Sequence, residues 1–567
     1  MENENAITYF AEVDRRNKKI PFGIKATDRT RHVYVIGKTG MGKSTMLENM
    51  AVQDLKNGNG MAFMDPHGKT ADLLLDYVPE DRLDDVVYFA PFDLENPISF
   101  NVLENVDPDK RHLVASGLMS AFKKIWLDAW SARMEYILNN ILLALLEYPD
   151  ATILGVNRML SDKDYRKKVV DNLTDPSVKA FWTDEFAKYG ERYMQEAGAA
   201  IQNKIGQFIS NPLVRNIIGQ PKSSFDIRQI MDEKKILIIN LSKGQVGEDG
   251  ANLLGSMLIT KIYLAAMSRA DVSQDELNRL PNFYFFVDEF QSFANESFAD
   301  ILSEARKYKL NLTMAHQYIE QMEESVRDAV FGNVGTMIIF RLGSFDAEIF
   351  EKEFAPQFTM DDIVNLGFAQ IYLKLMIDGI GSSPFSAKTL PPIAKPAISF
   401  KADIIEASRK HFTRPRAEIE EAIVVWHKPA VKRTQTVTPR AMSENNSIKK
   451  EATRAQSSND VENNKMSLQT LNNNNNNNKI IRHRSLDISN KQQPNISDKQ
   501  QLRDALAVAI QNVQKDNKTK IQFSARPQNS QTQPRVSQNS PEKKDEISPT
   551  TLEKILYVKR PDEKRTN

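Results

Sequence analysis

The chain has 567 residues, 41% of them hydrophobic, with 75 Lys+Arg against 74 Asp+Glu, seven His and no Cys. That length and apolar content suit two or three globular domains; the missing cysteine excludes disulfides and thiolate metal sites, and the histidines show no H-E-x-x-H spacing. The near-zero net charge conceals an asymmetry: from Lys428 onward there are 26 Lys+Arg and 14 Asp+Glu, the preceding residues hold 49 and 60, and so an acidic body carries a basic tail.

In chain order, Met1 to Phe10 is acidic and has no apolar h-region. No later stretch reaches the roughly 18 uncharged apolar residues of a membrane helix, so a soluble cytoplasmic protein is expected. Val33 to Ser44 reads VYVIGKTGMGKS, a run of β-formers that breaks into G-x-x-x-x-G-K-S at Gly37, Gly42, Lys43 and Ser44. This is a Walker A phosphate loop: the glycines let successive backbone N–H groups converge on one point at a helix N-terminus that favours anions. Gly37, Lys38, Thr39, Gly40, Met41, Gly42, Lys43, Ser44 and Thr45 are the expected ATP-binding residues, with Lys43 reaching the β and γ phosphates and Ser44 ligating Mg²⁺.

Ser44 to Asn57 is predicted as the helix behind this loop, stopped by Asn57-Gly58-Asn59-Gly60, and Met61 to Met64 as a buried strand. Asp65 follows it, at the C-terminal sheet edge where ligands of open α/β folds collect, and is a candidate catalytic residue; the neighbouring His67 reads as structural. Val86 to Phe89 is another strand. From about Asp107 to Met231 the pattern turns helical, as in Met134, Ile137, Leu138, Ile141, Leu142 and Leu145, and Trp126, Trp130 and Trp182 are expected to pack its core. Strands resume at Ile236–Leu241, Phe283–Val287, Leu312–Ala315, Thr336–Arg341 and Ile371–Leu375, with helices such as Leu253–Ser268 and Ser297–Tyr308 between them. That alternation predicts an α/β fold with a mostly parallel, doubly wound sheet and an inserted all-α domain.

Phe283-Tyr284-Phe285-Phe286-Val287-Asp288-Glu289 has the form of a Walker B strand. Asp288 is expected to hold Mg²⁺ through water and Glu289 to act as general base, because phosphoryl transfer needs positioning and charge neutralisation above all. Hydrophobic strands often end in acids for no catalytic reason; behind a Walker A loop the catalytic reading is the stronger one. Gln317, after its strand, is placed to hydrogen-bond a γ-phosphate or its water. Arg341 ends another strand, where an arginine in a ring-shaped ATPase reaches the neighbouring subunit's γ-phosphate; the alternative is a salt bridge to Asp346 or another surface acid. Beyond about His427 the sequence fills with Asn, Gln, Ser, Lys and Pro, including seven consecutive asparagines from Asn472. Such a segment cannot bury enough apolar surface to fold alone, with Leu502–Val513 and Leu552–Val558 as candidate partner-induced helices.

Gly37 to Ser44, Asp65-Pro66-His67-Gly68, Asp288-Glu289-Phe290, Ser303-Glu304-Ala305-Arg306-Lys307-Tyr308 and Ala315-His316-Gln317 together resemble the FtsK/HerA superfamily of DNA-pumping ATPases. Within it they resemble the type IV secretion coupling proteins of the TraG/TraD/TrwB branch, over about Ile7 to Pro392. The resemblance implies a RecA-like P-loop ATPase domain, placed in residues 1–106 and 232–400 around the all-α domain of 107–231; the patterning adds a C-terminal extension of the core in 401–427 and a disordered basic low-complexity tail in 428–567. The resemblance further implies ATP and Mg²⁺ as cofactors, a homohexameric ring around double-stranded DNA held without sequence preference, and secretion-channel or relaxase-like partners. Lys43, Ser44, Asp288, Glu289 and Gln317 match the family's functional positions, and Arg341 its strand-end arginine. Two departures stand out: the 36 residues before Gly37 hold no membrane helix, so docking at the inner face of the membrane is expected through partners or not at all, and the acidic body needs a local basic lining for DNA.

The expected function is an ATP-driven DNA translocase coupled to a conjugative or type IV secretion-like channel. A HerA-like role in DNA-end processing with a nuclease is the alternative within the superfamily, and a nucleotide-gated recruitment scaffold the alternative of another class.

Overall fold

The buried strands explain the architecture. Six of them, β3 (Val33–Ile36), β4 (Gly60–Asp65), β6 (Ile236–Asn240), β7 (Phe283–Val287), β8 (Leu310–His316) and β9 (Thr336–Ile339), are buried at every position. Their alternate residues serve two cores: Tyr34, Ile36, Met64, Ile239 and Phe285 pack on one face, and Val33, Val35, Phe63, Ile238 and Phe286 on the other. A strand apolar on both faces belongs inside a parallel sheet covered on both sides. In this computed structural model, which describes residues 5–126, 129–189, 198–294 and 297–428, these strands and β5 (Val86–Phe89) form a parallel run in the order β9-β3-β8-β7-β4-β6-β5. The basic tail after Lys428, with Leu502–Val513 and Leu552–Val558, lies outside the described residues.

Beyond β9 the sheet continues through four antiparallel strands: β1 (Ile7–Arg15), β2 (Lys18–Lys25), β10 (Gln370–Lys374) and β13 (Phe385–Thr389), so that the full order begins β2-β1-β13-β10-β9. The short strands β11 (Met376–Ile377) and β12 (Ile380–Gly381) pair separately. Ile371–Leu375 is thus a strand as predicted, but it returns antiparallel to β9. The hairpin β1–β2 turns at Arg16 and Asn17, both left-handed (φ 55° and 64°), as a two-residue turn matched to strand twist requires. Its outer strand carries Lys18, Lys19 and Pro21, residues that blunt an edge against further pairing.

The opposite edge, β5, is closed by a helix. Lys401–Phe412 lies along it, Ser408 Oγ accepts the Tyr88 N–H at 2.9 Å, and Ile404 is buried in the second core. The next helix, Arg416–His427, packs Ile419 and Ile423 against Leu154, and the Arg158 guanidinium lies 4.6 Å from the Trp426 ring and 4.3 Å from that of Tyr165.

Between β5 and β6 the described residues are helical and contain no strand. The helices include Arg111–Ile125, Ala132–Glu147 and Ala199–Ser210, and their apolar residues share one core with a face of the sheet. Trp126 and Trp182 are buried there and Trp130 is half-buried, Trp126 stacking on Phe122 at 4.8 Å. One described stretch, Glu248–Asp271, is long and apolar enough to cross a bilayer, yet 67% of its most apolar 18-residue window is buried. Its small residues admit close neighbours: a Cβ on Gly255 would meet the Phe293 ring at 2.4 Å, and Thr260 would lie 2.9 Å from a Cβ on Gly117. Its apolarity is accounted for by packing.

Candidate functional site

The phosphate loop leaves β3 after Ile36 and re-enters helix at Lys43. Gly37 is required by space, since a Cβ there would sit 2.5 Å from Phe340 Cβ; Gly40 and Gly42 are required by backbone, with φ of 77° and 115°. Both neighbouring strands hold the loop: Gly37 N–H donates to His316 O at 3.2 Å and Lys38 N–H to Arg341 O at 2.9 Å. On its far side Ala369 N–H donates to Met41 O at 3.2 Å. The first intrahelical bond runs from Met46 N–H to Gly42 O, so the N–H groups of Lys43, Ser44 and Thr45 have no helical acceptor and face outward as an anion site. Lys43 Nζ folds over the loop, donating to Gly37 O at 2.6 Å and Lys38 O at 3.4 Å. Burial lowers the Lys43 ammonium's pKa, although Glu289 and Asp288 pull it upward.

Asp288 and Glu289 arrive at the end of β7, two strands from the loop. Asp288 Oδ2 accepts from Ser44 Oγ at 3.0 Å and Oδ1 from the Glu289 N–H at 3.0 Å. Burial, and then the charge of Glu289, push the Asp288 carboxyl up to about 6. Glu289 is left-handed (φ 48°, ψ 48°), a conformation that strains a residue with a Cβ and is often found at functional sites. Its two carboxylate oxygens accept from the side-chain amides of Gln317 and Gln291, and Gln317 Oε1 in turn accepts from Thr39 Oγ1 at 2.9 Å. A continuous path therefore joins the phosphate loop to the Glu289 carboxylate through Gln317. His316 beneath it is buried, faces the Tyr34 hydroxyl through Nδ1 at 2.9 Å, and is held neutral, its pKa lowered to about 3 by burial and then by Lys43 and Lys124.

The remaining expected positions fall differently. Asp65 lies at the end of β4, but both its oxygens are taken by backbone: Oδ1 accepts from His67 N–H at 2.8 Å, and Oδ2 from Thr70 N–H at 2.7 Å and Ala71 N–H at 3.0 Å. It shapes the turn into the helix Lys69–Leu75 and adds negative charge beside Asp288. His67 is exposed. Arg341 is exposed just past β9, and among the described residues its guanidinium forms no ion pair; Asp346 is buried and accepts instead from Ile319 N–H at 3.1 Å.

Two contributors escaped sequence reasoning. Gln291 grips Glu289 from within its own turn, and Lys124, on the inserted helix Arg111–Ile125, donates to Gln291 O and Ala294 O at 2.5 Å each. Burial lowers Lys124 to about 8. No motif flags a single lysine on an amphipathic helix some 170 residues before its partners.

The oxygen set at Ser44 and Asp288 fits Mg²⁺. Ser44 Oγ donates its proton to Asp288 Oδ2 at 3.0 Å, which would leave the hydroxyl lone pairs for the ion and Asp288 to hold it through water. A carboxyl pushed up by burial and then by a neighbouring acid gains from a cation beside it. Among the described residues no group of three or more His, Cys, Asp or Glu is placed to hold a metal ion by itself.

The family described as the type IV secretion-system coupling protein DNA-binding domain matches residues 17–354. The chain belongs to this family. The match contains the phosphate loop, Asp288, Glu289, Gln317 and Arg341; Ala369, which holds the far side of the loop, lies beyond it. Two solved structures of a coupling protein share the fold. The unbound bacterial conjugative coupling protein TrwBΔN70 is 15% identical, with a TM-score of 0.50 over 67% of this chain and 89% of that one. Plasmid coupling protein TrwB in complex with a non-hydrolysable ATP analogue, also 15% identical, has a TM-score of 0.50 over 70% of this chain and 97% of that one. The search of curated proteins finds no match.

Proposed function

We propose that this coupling-protein family member is an ATP-hydrolysing motor that moves double-stranded DNA, as a homohexameric ring, toward a conjugative or type IV secretion-like channel. The observation that supports the reading is the hydrogen-bonded path Thr39–Gln317–Glu289 beside the Ser44–Asp288 pair, a carboxylate, an amide and a hydroxyl–carboxylate pair gathered at one phosphate loop. TrwB, with the same fold, has been solved with an ATP analogue.

In this reading the N–H groups of Gly37 to Thr45 and the Lys43 ammonium hold the phosphates, while Ser44 and Asp288 hold Mg²⁺. The bound ion supplies charge neutralisation of the phosphate oxygens. Glu289 accepts the proton of the attacking water, and Gln317 orients that water against the terminal phosphate and registers its loss through Thr39. Asp65 acts on this network through the turn it shapes. Lys124 and Gln291 fix the turn that carries Glu289, which links the helical insertion to the base. DNA passes through the ring without sequence readout, held by backbone phosphates. The protein works in the cytoplasm, reaching the membrane face through secretion-channel or relaxase-like partners. Steady-state phosphate release with and without duplex DNA tests the reading: acceleration by DNA supports it, and an equal rate contradicts it.

Arg341 serves the neighbouring subunit's nucleotide. It is exposed, has no ion pair among the described residues, and stands at the sheet edge that carries the loop. Arg341→Ala is expected to lower turnover on the order of 10³-fold with nucleotide binding retained. Mixing it with Lys43→Ala subunits should restore part of the activity, because some interfaces then pair an intact loop with an intact arginine. No recovery at any mixing ratio would place Arg341 outside the shared site.

A further inference from the structure

At 71% exposure Phe368 is the most exposed large apolar side chain among the described residues, and it stands beside the phosphate loop. The residue after it, Ala369, is left-handed (φ 62°), a conformation that residues with a Cβ rarely hold. Gln370 N–H donates to Gly367 O at 3.3 Å, and four further hydrogen bonds keep this turn in place. Ala369 N–H donates to Met41 O at 3.2 Å, Ala369 O accepts from Thr389 N–H at 2.8 Å and from Thr389 Oγ1 at 3.4 Å, and Gly367 N–H donates to Gln370 Oε1 at 2.7 Å. A Cβ on Gly42 would lie 3.9 Å from Ala369 Cα, so the backbone that presents Phe368 touches the loop itself. An exposed phenyl ring costs hydration free energy, and a strained, well-tied turn that holds one in solvent calls for a ligand.

The sheet order supplies the ligand's direction. Glu289 and Gln317 come from β7 and β8 on one side of β3; the Phe368 turn enters β10 on the other. A terminal phosphate facing Gln317 and Glu289 sends the nucleoside away from them, across Gly42 and Thr45 toward β10. We propose that Phe368 is the stacking platform for the base of the nucleoside triphosphate whose phosphates occupy the loop. This rests on the reading of Gly37 to Thr45 as a nucleotide site, and it assigns the base a contact that the motifs do not.

Calorimetric titration of wild type and Phe368→Ala with MgATP and with inorganic tripolyphosphate tests it. Phe368→Ala should weaken ATP about tenfold, the usual effect of losing one aromatic–base stack, and leave tripolyphosphate affinity unchanged. Phe368→Tyr should restore ATP binding. Unchanged ATP affinity in Phe368→Ala, or an equal loss for both ligands, would overturn the inference. So would sedimentation showing that Phe368→Ala loses self-association while its ATP affinity stays intact, because the ring would then belong to a protein interface. Wild type that binds neither ligand would instead sink the nucleotide-site reading beneath it.

Discussion

Glu289→Gln is expected to reduce ATP turnover on the order of 10²- to 10⁴-fold, the range for removing a positioned general base, while nucleotide binding is retained. The substitution is nearly isosteric and leaves Lys43, Ser44 and the loop glycines untouched. Glutamine meets the same backbone cost as glutamate at this left-handed position, so the turn should keep its shape. It also relieves Asp288, which burial and next the Glu289 charge push up to about 6. With that second cause removed, Asp288 should ionise more readily and MgATP should bind as tightly as before or more so. Phosphate release and equilibrium binding measured on the same preparation check both halves. Turnover at the wild-type rate would remove Glu289 from the chemistry.

Asp54→Asn should cost about 3–5 kcal/mol of stability, the penalty of leaving a buried charge without its partner. Asp54 is fully buried and Arg29 nearly so, and they meet through two parallel bonds of 2.8 Å. Arg29 also donates to Thr8 Oγ1 at 3.0 Å and lies 3.7 Å from the Tyr284 ring centre. Burial works to lower the Arg29 pKa, and the charge and hydrogen bonds of Asp54 outweigh it, so the guanidinium stays ionised. The pair ties the β1–β2 hairpin to the helix behind the phosphate loop and to β7. Denaturant unfolding of Asp54→Asn and of an Arg29→Met/Asp54→Leu double variant separates charge loss from packing loss. The double variant should recover much of the deficit; a single variant within 1 kcal/mol of wild type would show that the pair carries little.

The chemistry-bearing parts of the fold were legible because each is a local pattern. The phosphate loop, the apolar run ending in Asp288-Glu289 and the strands of the parallel sheet carry continuous apolar stretches bounded by turns, and the observed β4 to β9 overlap the predicted segments. The inserted helices were legible from their 3.6-residue period. The antiparallel edge was not. β1 has a register shift between Tyr9 and Ala11, β2 contains Pro21, and neither shows an uninterrupted alternation. The direction of β10 depends on its partner β9, which no local pattern encodes. At the site, Asp65 stood where an edge carboxylate was expected, but its engagement by the amides of His67, Thr70 and Ala71 is a property of the folded turn. Lys124 and Phe368 were invisible for the same reason: each matters through a contact with a segment distant in sequence.

In the proposed function, hydrolysis at the Lys43–Glu289 site moves the protein along DNA. Displacement of a short third strand from the end of a linear duplex measures that movement directly. Wild type should release the third strand only with hydrolysable ATP and Mg²⁺, and Glu289→Gln should not release it at all. Hydrolysis that continues unchanged with or without duplex, while the third strand stays bound, would show that this protein is not a DNA translocase.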